Sequence, residues 1–270
     1  MTKEEGVNAF KLHMAFKGTM MLTNAELLDA MEACRDAGAV AFVHAENGVV
    51  IAENEKRLLA RGMNGPESHL MARPEEVEEE AVTRACAFAR QVNVPLVLSG
   101  TTGRAAAAAA ARAKARGQAI YVEPSALSAA ADGSHIFNSC WTHAAGFVVS
   151  PPLRDDPAAP DAVVAALNDG TFDFVASHHK SYSSAAKEAA AGGQDDFTRI
   201  PSGANGVEDR MGVVWSRAVE ANKMSPERFV AATSANAARA LGIFPRKGRL
   251  EVSIPFSHYF LSLARLFLFH

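Results

Sequence analysis

Residues 8–43 read as strand, helix, strand, and that unit limits what the chain can become. Asn8 to Phe16 alternates. Phe10, Leu12, Met14 and Phe16 fall on one side, and Lys11, His13 and Ala15 on the other, which is the period of two that marks a strand. Thr23-Asn24-Ala25-Glu26 is a capping-box pattern. Leu27, Leu28, Met31 and Cys34 then recur at helical spacing, and Gly38 supplies the stop. The apolar run 39–43 follows as a buried strand and ends in His44-Ala45-Glu46-Asn47-Gly48.

The pattern continues. A helix is expected from Val49 to Arg61, and another after Pro74, with Glu75, Glu76, Glu78, Glu79 and Glu80 near its positive end. Pro95 to Leu98 is a third strand. Arg104 to Arg116, with alanine at every position from 105 to 111, is a helix stopped by Gly117. Gln118 to Val122 is a fourth strand leading into Glu123-Pro124, and Phe172 to Ala176 a fifth, ending in Ser177-His178-His179. Helices are expected at Asp161 to Leu167, Glu208 to Asn222, and from Ser225-Pro226-Glu227 to Gly242, with a break near Thr233-Ser234. Strands alternating with helices mean a parallel sheet. No Gly-x-Gly-x-x-Gly follows a strand, so the usual sign of a dinucleotide fold is missing. The expected class is α/β: a partial (β/α) barrel of the TIM type, with about five strands where a closed barrel has eight.

Composition narrows function by exclusion. A net charge of -3 gives no electrostatic footprint for nucleic acid or an anionic membrane. Cys34, Cys86 and Cys140 fit neither a disulfide framework nor a thiolate metal site, which points to a reducing, cytoplasmic setting. Met1 to Gly6 has no apolar secretion signal. Phe256 to Phe269 is strongly apolar but shorter than the roughly 20 residues of a membrane span, so it reads as a packed terminal helix or as a tail foreign to the domain.

Chemistry in such folds gathers at the C-terminal ends of strands. Lys11 lies in the first strand, His44 ends the second, and His178 and His179 follow the fifth. Read alone, His44 at the end of a strand favours a satisfied structural histidine over a ligand. Imidazoles and carboxylates at strand ends can hold zinc. A lysine joins them only when carbon dioxide converts its amine to a carbamate, which burial favours by lowering its pKa. The alternative for Lys11 is a side chain that snorkels to solvent. A charged Lys11 inside a barrel needs a partner, for which Glu46 and the nearby polar loops are candidates.

Phe10-Lys11-Leu12-His13-Met14-Ala15-Phe16-Lys17 and Val43-His44-Ala45-Glu46-Asn47-Gly48 resemble the dihydropyrimidinase and hydantoinase family of the amidohydrolase superfamily. The resemblance runs on through Gly65-Pro66-Glu67, Arg73-Pro74-Glu75, Ser150-Pro151-Pro152-Leu153-Arg154, Asp196 to Pro201, Gly206 to Met211 and Pro245 to Arg249. It covers roughly residues 6–252, which are expected to form the partial barrel, whereas residues 253–270 do not match. The first barrel strand, with its His-x-His pair, and the small β domain have no counterpart in the sequence.

The resemblance implies hydrolytic ring opening of cyclic amides or ureides, with two zinc ions bridged by a carboxylated lysine. Lys11 falls on that lysine and His44 on a ligand histidine, while Ser150, Ser202 and Asn205 fall near segments that hold the substrate ring. Three departures lie inside the chain. Gly100 takes the place of another ligand histidine, His178 that of the catalytic aspartate, and Phe16 that of a tyrosine that steadies the tetrahedral intermediate. His13 and the His178-His179 pair are the only compensating ligands in view. The expectation is a dihydropyrimidinase-like protein with impaired or absent hydrolysis. The alternative is a non-catalytic relative of the collapsin-response-mediator kind that assembles with itself or with family members.

Overall fold

A computed structural model describes residues 2–249; the apolar tail at 253–270 lies outside the described residues. Four parallel strands lie side by side in chain order: β1 (Ala9–His13), β2 (Val40–His44), β3 (Leu96–Ser99) and β4 (Ile120–Glu123). The fifth strand expected at Phe172 to Ala176 is present only as an extended segment. It lies beside β4, with Asp173 N donating to Val122 O and a single bridge from Ser125 to Ala176, and never builds a ladder. Pro124 explains the break. It has no N–H to offer, although its carbonyl accepts from Ala176 N.

Register sorts the side chains into two faces. Leu12, Val43, Leu98 and Val122 are paired neighbours and belong to the core cluster beneath the covering helices. On the opposite face, Lys11, Phe42, Val97 and Tyr121 form one row. His13 pairs with His44 and Ser99 with Glu123 in the next row toward the strand C-termini. The alternation expected for Asn8 to Phe16 holds through β1 but not at Phe16, where a left-handed backbone (φ 66°) turns the ring to the Lys11 side, beside His13 and His44; the face carrying Lys11 is the one on which an arc of barrel collects its polar groups.

The helices follow the sequence closely. Asn24–Ala37 carries the expected capping box, with Thr23 and Glu26 bonding reciprocally, and stops at Gly38 in the left-handed region. The alanine-rich helix Arg104–Lys114 buries Ala106, Ala107, Ala109, Ala110 and Ala113. It packs on the helix Glu75–Val92, which offers Ala81, Ala85 and Ala89. Small residues on both sides let the backbones approach, so the alanine run is a packing device. Pro74 is the N-cap of Glu75–Val92, one position earlier than its expected place in the first turn. The expected helix Glu208 to Asn222 starts later, as Arg210–Val214, and widens into a π-helical turn at Trp215–Glu220. A second π-helical turn, Ala231–Ala235, falls at the expected break near Thr233-Ser234.

Candidate functional site

At the C-terminal end of the sheet the polar row closes over a cavity of about 170 Å³. Lys11, His44, His178, Ser150, Ser202 and Asn205 all line it, so the residues that the sequence assigns to metal or substrate come together, along with Phe16 and Gly100.

The Lys11 ammonium does not pair with Glu46. Nζ donates to Ser99 Oγ at 2.5 Å, and Ser99 Oγ donates to Glu123 Oε1 at 3.1 Å. Burial of the ammonium lowers its pKa, and the attraction of Glu123 opposes that shift. His178 Nε2 reaches the same Glu123 oxygen at 2.6 Å, within ion-pair distance but off the line of a hydrogen bond. Lys11, Ser99, Glu123 and His178 therefore form one connected network across β1, β3, β4 and the segment after residue 176. Glu123 could have been found from sequence, because it ends β4 as His44 ends β2. Ser99 ends β3 in the same way, but as a neutral hydroxyl it does not stand out as an ionisable strand-end group.

Glu46 instead faces inward and is fully buried. It accepts from His44 Nε2 at 2.7 Å and from Arg73 Nη1 at 3.2 Å. Burial pushes its pKa up, but Arg73 and the bond from His44 outweigh that and hold it at about 2. His13 stands beside His44 with ring centroids 5.8 Å apart. Burial, then the neighbouring His44, Lys11 and Lys180, bring the His13 pKa down to about 4. Phe16 caps this pair, 5.0 Å from His44, from a left-handed backbone position with φ 66°.

The opposite wall is built from two loops held together from behind. Ser202 Oγ donates to Ser150 Oγ at 2.9 Å. Buried Lys187 donates to the carbonyls of Ala145 and Gly203 at 2.7 and 2.8 Å, tying the short helix Trp141–Gly146 that precedes Ser150 to the loop of Ser202. Its pKa falls to about 8, chiefly through burial. His69 Nε2 donates to Val149 O at 2.8 Å, and burial with the nearby Arg73 charge takes its pKa to about 3. Neither Lys187 nor His69 is legible as a support, since each sits far from the wall in sequence.

These donors do not assemble a metal centre. Among the described residues no three His, Cys, Asp or Glu side chains come together as a candidate ligand set. The Lys11 amine is bonded to Ser99, and His44 Nε2 is bonded to Glu46. Gly100 has φ +83°, and a Cβ there would stand 3.1 Å from Pro151 Cδ and 3.2 Å from His178 Cε1. The His178 ring therefore covers the space into which a side chain at position 100 would begin to grow. His179 does not join the cavity wall; its Nδ1 accepts from the backbone N–H groups of Gly206 and Val207.

A model of the amidohydrolase family matches residues 2–254. The chain is 45% identical over 249 residues to "Dihydropyrimidinase 1" of Caenorhabditis briggsae, covering 92% of this chain and 50% of that protein. It is 41% identical over 250 residues to human "Dihydropyrimidinase-related protein 5", covering 93% of this chain and 44% of that one. The crystal structure of dihydropyrimidinase from Brevibacillus agri superposes with a TM-score of 0.89 at 32% identity, covering 94% of this chain and 54% of that one. The chain thus spans about half the length of the curated relatives it matches.

Proposed function

The chain belongs to the amidohydrolase family, on its dihydropyrimidinase and hydantoinase branch, and from that membership we propose a dihydropyrimidinase-like homologue in which ring hydrolysis is impaired or lost. The substrate class is that of small cyclic amides and ureides, held against Ser150, Ser202 and Asn205. The observation that carries the reading is the contact between Gly100 and His178. In the family reaction two zinc ions supply an activated hydroxide and polarise the carbonyl. Here the two positions that would contribute a ligand and a base carry no side chain and an imidazole, and that imidazole rests on Glu123.

Lys11 and His44 keep their family places, but each is engaged by a neighbour: Lys11 by Ser99, His44 by Glu46. Phe16 offers no hydroxyl to a tetrahedral intermediate. What the chain's own groups can do is orient a planar ligand through the Ser150 and Ser202 hydroxyls and shield it with Phe16 and Pro151. The test is ring opening of dihydrouracil and of hydantoin by purified protein supplied with zinc. Turnover that Lys11→Ala abolishes would refute the reading.

A second reading is supported by the identity to a dihydropyrimidinase-related protein: a non-catalytic role through assembly with itself or with longer relatives. Co-purification of tagged chain with such a relative is its expected sign; separate elution of the two would count against it.

A further inference from the structure

Away from the cavity, two histidines face each other at the surface. His135 belongs to the 3-10 turn Gly133–Phe137 and His143 to the helix Trp141–Gly146. His135 Nδ1 and His143 Nε2 stand 3.1 Å apart. Phe147 holds the pair from one side. Its ring stacks on His135 at 4.3 Å and 9°, and its centre lies 5.2 Å from that of His143. Neither histidine lines the cavity.

The backbone beneath both rings is fixed. Gly133 N donates to Arg154 O at 2.6 Å, Asn138 N to His135 O at 3.2 Å, and Cys140 N to Asn138 Oδ1 at 2.9 Å. Ile136, Ala144 and Ala145 are buried, and the Ala145 carbonyl accepts from Lys187. The imidazoles are therefore brought together by contacts other than their own, which is what a preorganised ligand pair requires.

The spacing limits what the pair can do. Two imidazolium rings would both be donors, so nitrogens this close need at least one neutral ring. In the neutral pair one ring donates and the other offers its lone pair. Moving the donor's proton to its far nitrogen turns both lone pairs toward the same gap, with no net proton lost. Two nitrogens about 2.0–2.1 Å from one ion, subtending about 100°, stand roughly 3.1–3.2 Å apart. The observed separation matches that. Imidazole suits zinc, copper and nickel, and among divalent first-row ions copper binds a given donor set most tightly.

We propose that His135 and His143 form a surface site for a divalent transition-metal ion, copper(II) foremost, with water in the remaining positions. Because the rings come from two elements, the ion would pin the turn Gly133–Phe137 to the helix Trp141–Gly146. Zinc, lower in the affinity order, is expected to be held too loosely to survive exchange into metal-free buffer.

The test is titration of untagged protein with copper(II) chloride at about pH 7.5, where an ordinary histidine is mostly neutral. Calorimetry gives the affinity, and electron paramagnetic resonance counts the coordinated nitrogens. Cys140 is exposed, so Cys140→Ser is made throughout to keep a thiol away from copper. The expected result is a single tight step per chain with a two-nitrogen spectrum. His143→Gln, at an exposed position, is expected to weaken that step about tenfold or more while leaving the melting temperature of the metal-free protein unchanged, and His135→Gln to weaken it equally. Absence of binding at about 0.1 mM copper would overturn the proposal. So would an unchanged affinity in His143→Gln, or a loss of binding in folded His44→Gln instead, which would place the ion in the cavity.

Discussion

The imidazole of His178 lies over Gly100, with Cε1 3.2 Å from where a Cβ on that glycine would be. The two positions are 78 residues apart in sequence and behave as one structural unit. The glycine makes room for the ring, and the ring reaches Glu123 across the gap. Gly100→Ala adds a methyl group against Pro151 and His178 at a φ of +83°. The backbone conformation alone costs about 1–2 kcal/mol for a residue with a Cβ. In a His178→Ala background the steric part of the penalty should shrink while the backbone part remains. A double-mutant cycle by urea denaturation checks this, and strict additivity would mean that the contact is energetically silent.

Glu78 offers a second test of how the pocket loops are held. It is 1% exposed and accepts from the backbone N–H groups of Thr102 and Gly103 at 2.8 and 3.0 Å and from Arg154 Nη2 at 2.5 Å. It thereby joins the helix Glu75–Val92 to the loops after β3 and after Ser150. Glu78→Gln keeps the volume but leaves the Arg154 charge without its partner, and should destabilise the fold by about 3 kcal/mol. Chemical denaturation near neutral pH measures it. A loss under about 0.5 kcal/mol, the scale of ordinary surface changes, would show that the network contributes little.

The pH dependence of stability should carry the signature of His69. Its folded pKa is about 3 against an ordinary 6.5. Above 6.5 the ring is neutral in both states and its contribution is complete. Between 6.5 and about 3 the unfolded chain takes up a proton that the folded chain refuses, so stability falls as acid is added. The slope from this one group approaches about 1.4 kcal/mol per pH unit. His69→Gln can still donate to the Val149 carbonyl and should flatten the profile between pH 6 and 4. An unchanged slope would mean that His69 titrates normally in the folded protein.

Most of the scaffold is legible in the sequence, for local reasons. The capping box at Thr23, the stop at Gly38 and the alternation around Lys11 are short-range signals, and each reappears in place. Lys11, His44 and His178 are picked out by their place in or just after strands, and Ser150, Ser202 and Asn205 only by the family resemblance; all six line one cavity. Partnership is not legible. Lys11 pairs through Ser99 with Glu123 and not with Glu46, because register sets β3 and β4 beside the face that carries it. Residue types along one strand do not contain that register. Glu78 and Glu75 look like charges at a helix N-terminus, yet they also bond the backbone N–H groups opening the next helix, at Gly103 and Ala105. The apolar run 172–176 overstates a fifth strand, because it does not reveal that Pro124 interrupts the ladder beside it.

Metal stoichiometry tests the central claim most directly. Purified protein would be incubated with excess zinc, exchanged into metal-free buffer and assayed by plasma mass spectrometry. With Lys11 bonded to Ser99, Gly100 lacking a side chain and His178 resting on Glu123, well under one zinc per chain is expected, with Lys11→Ala indistinguishable from the parent. Two zinc ions per chain, lost in Lys11→Ala, would contradict it.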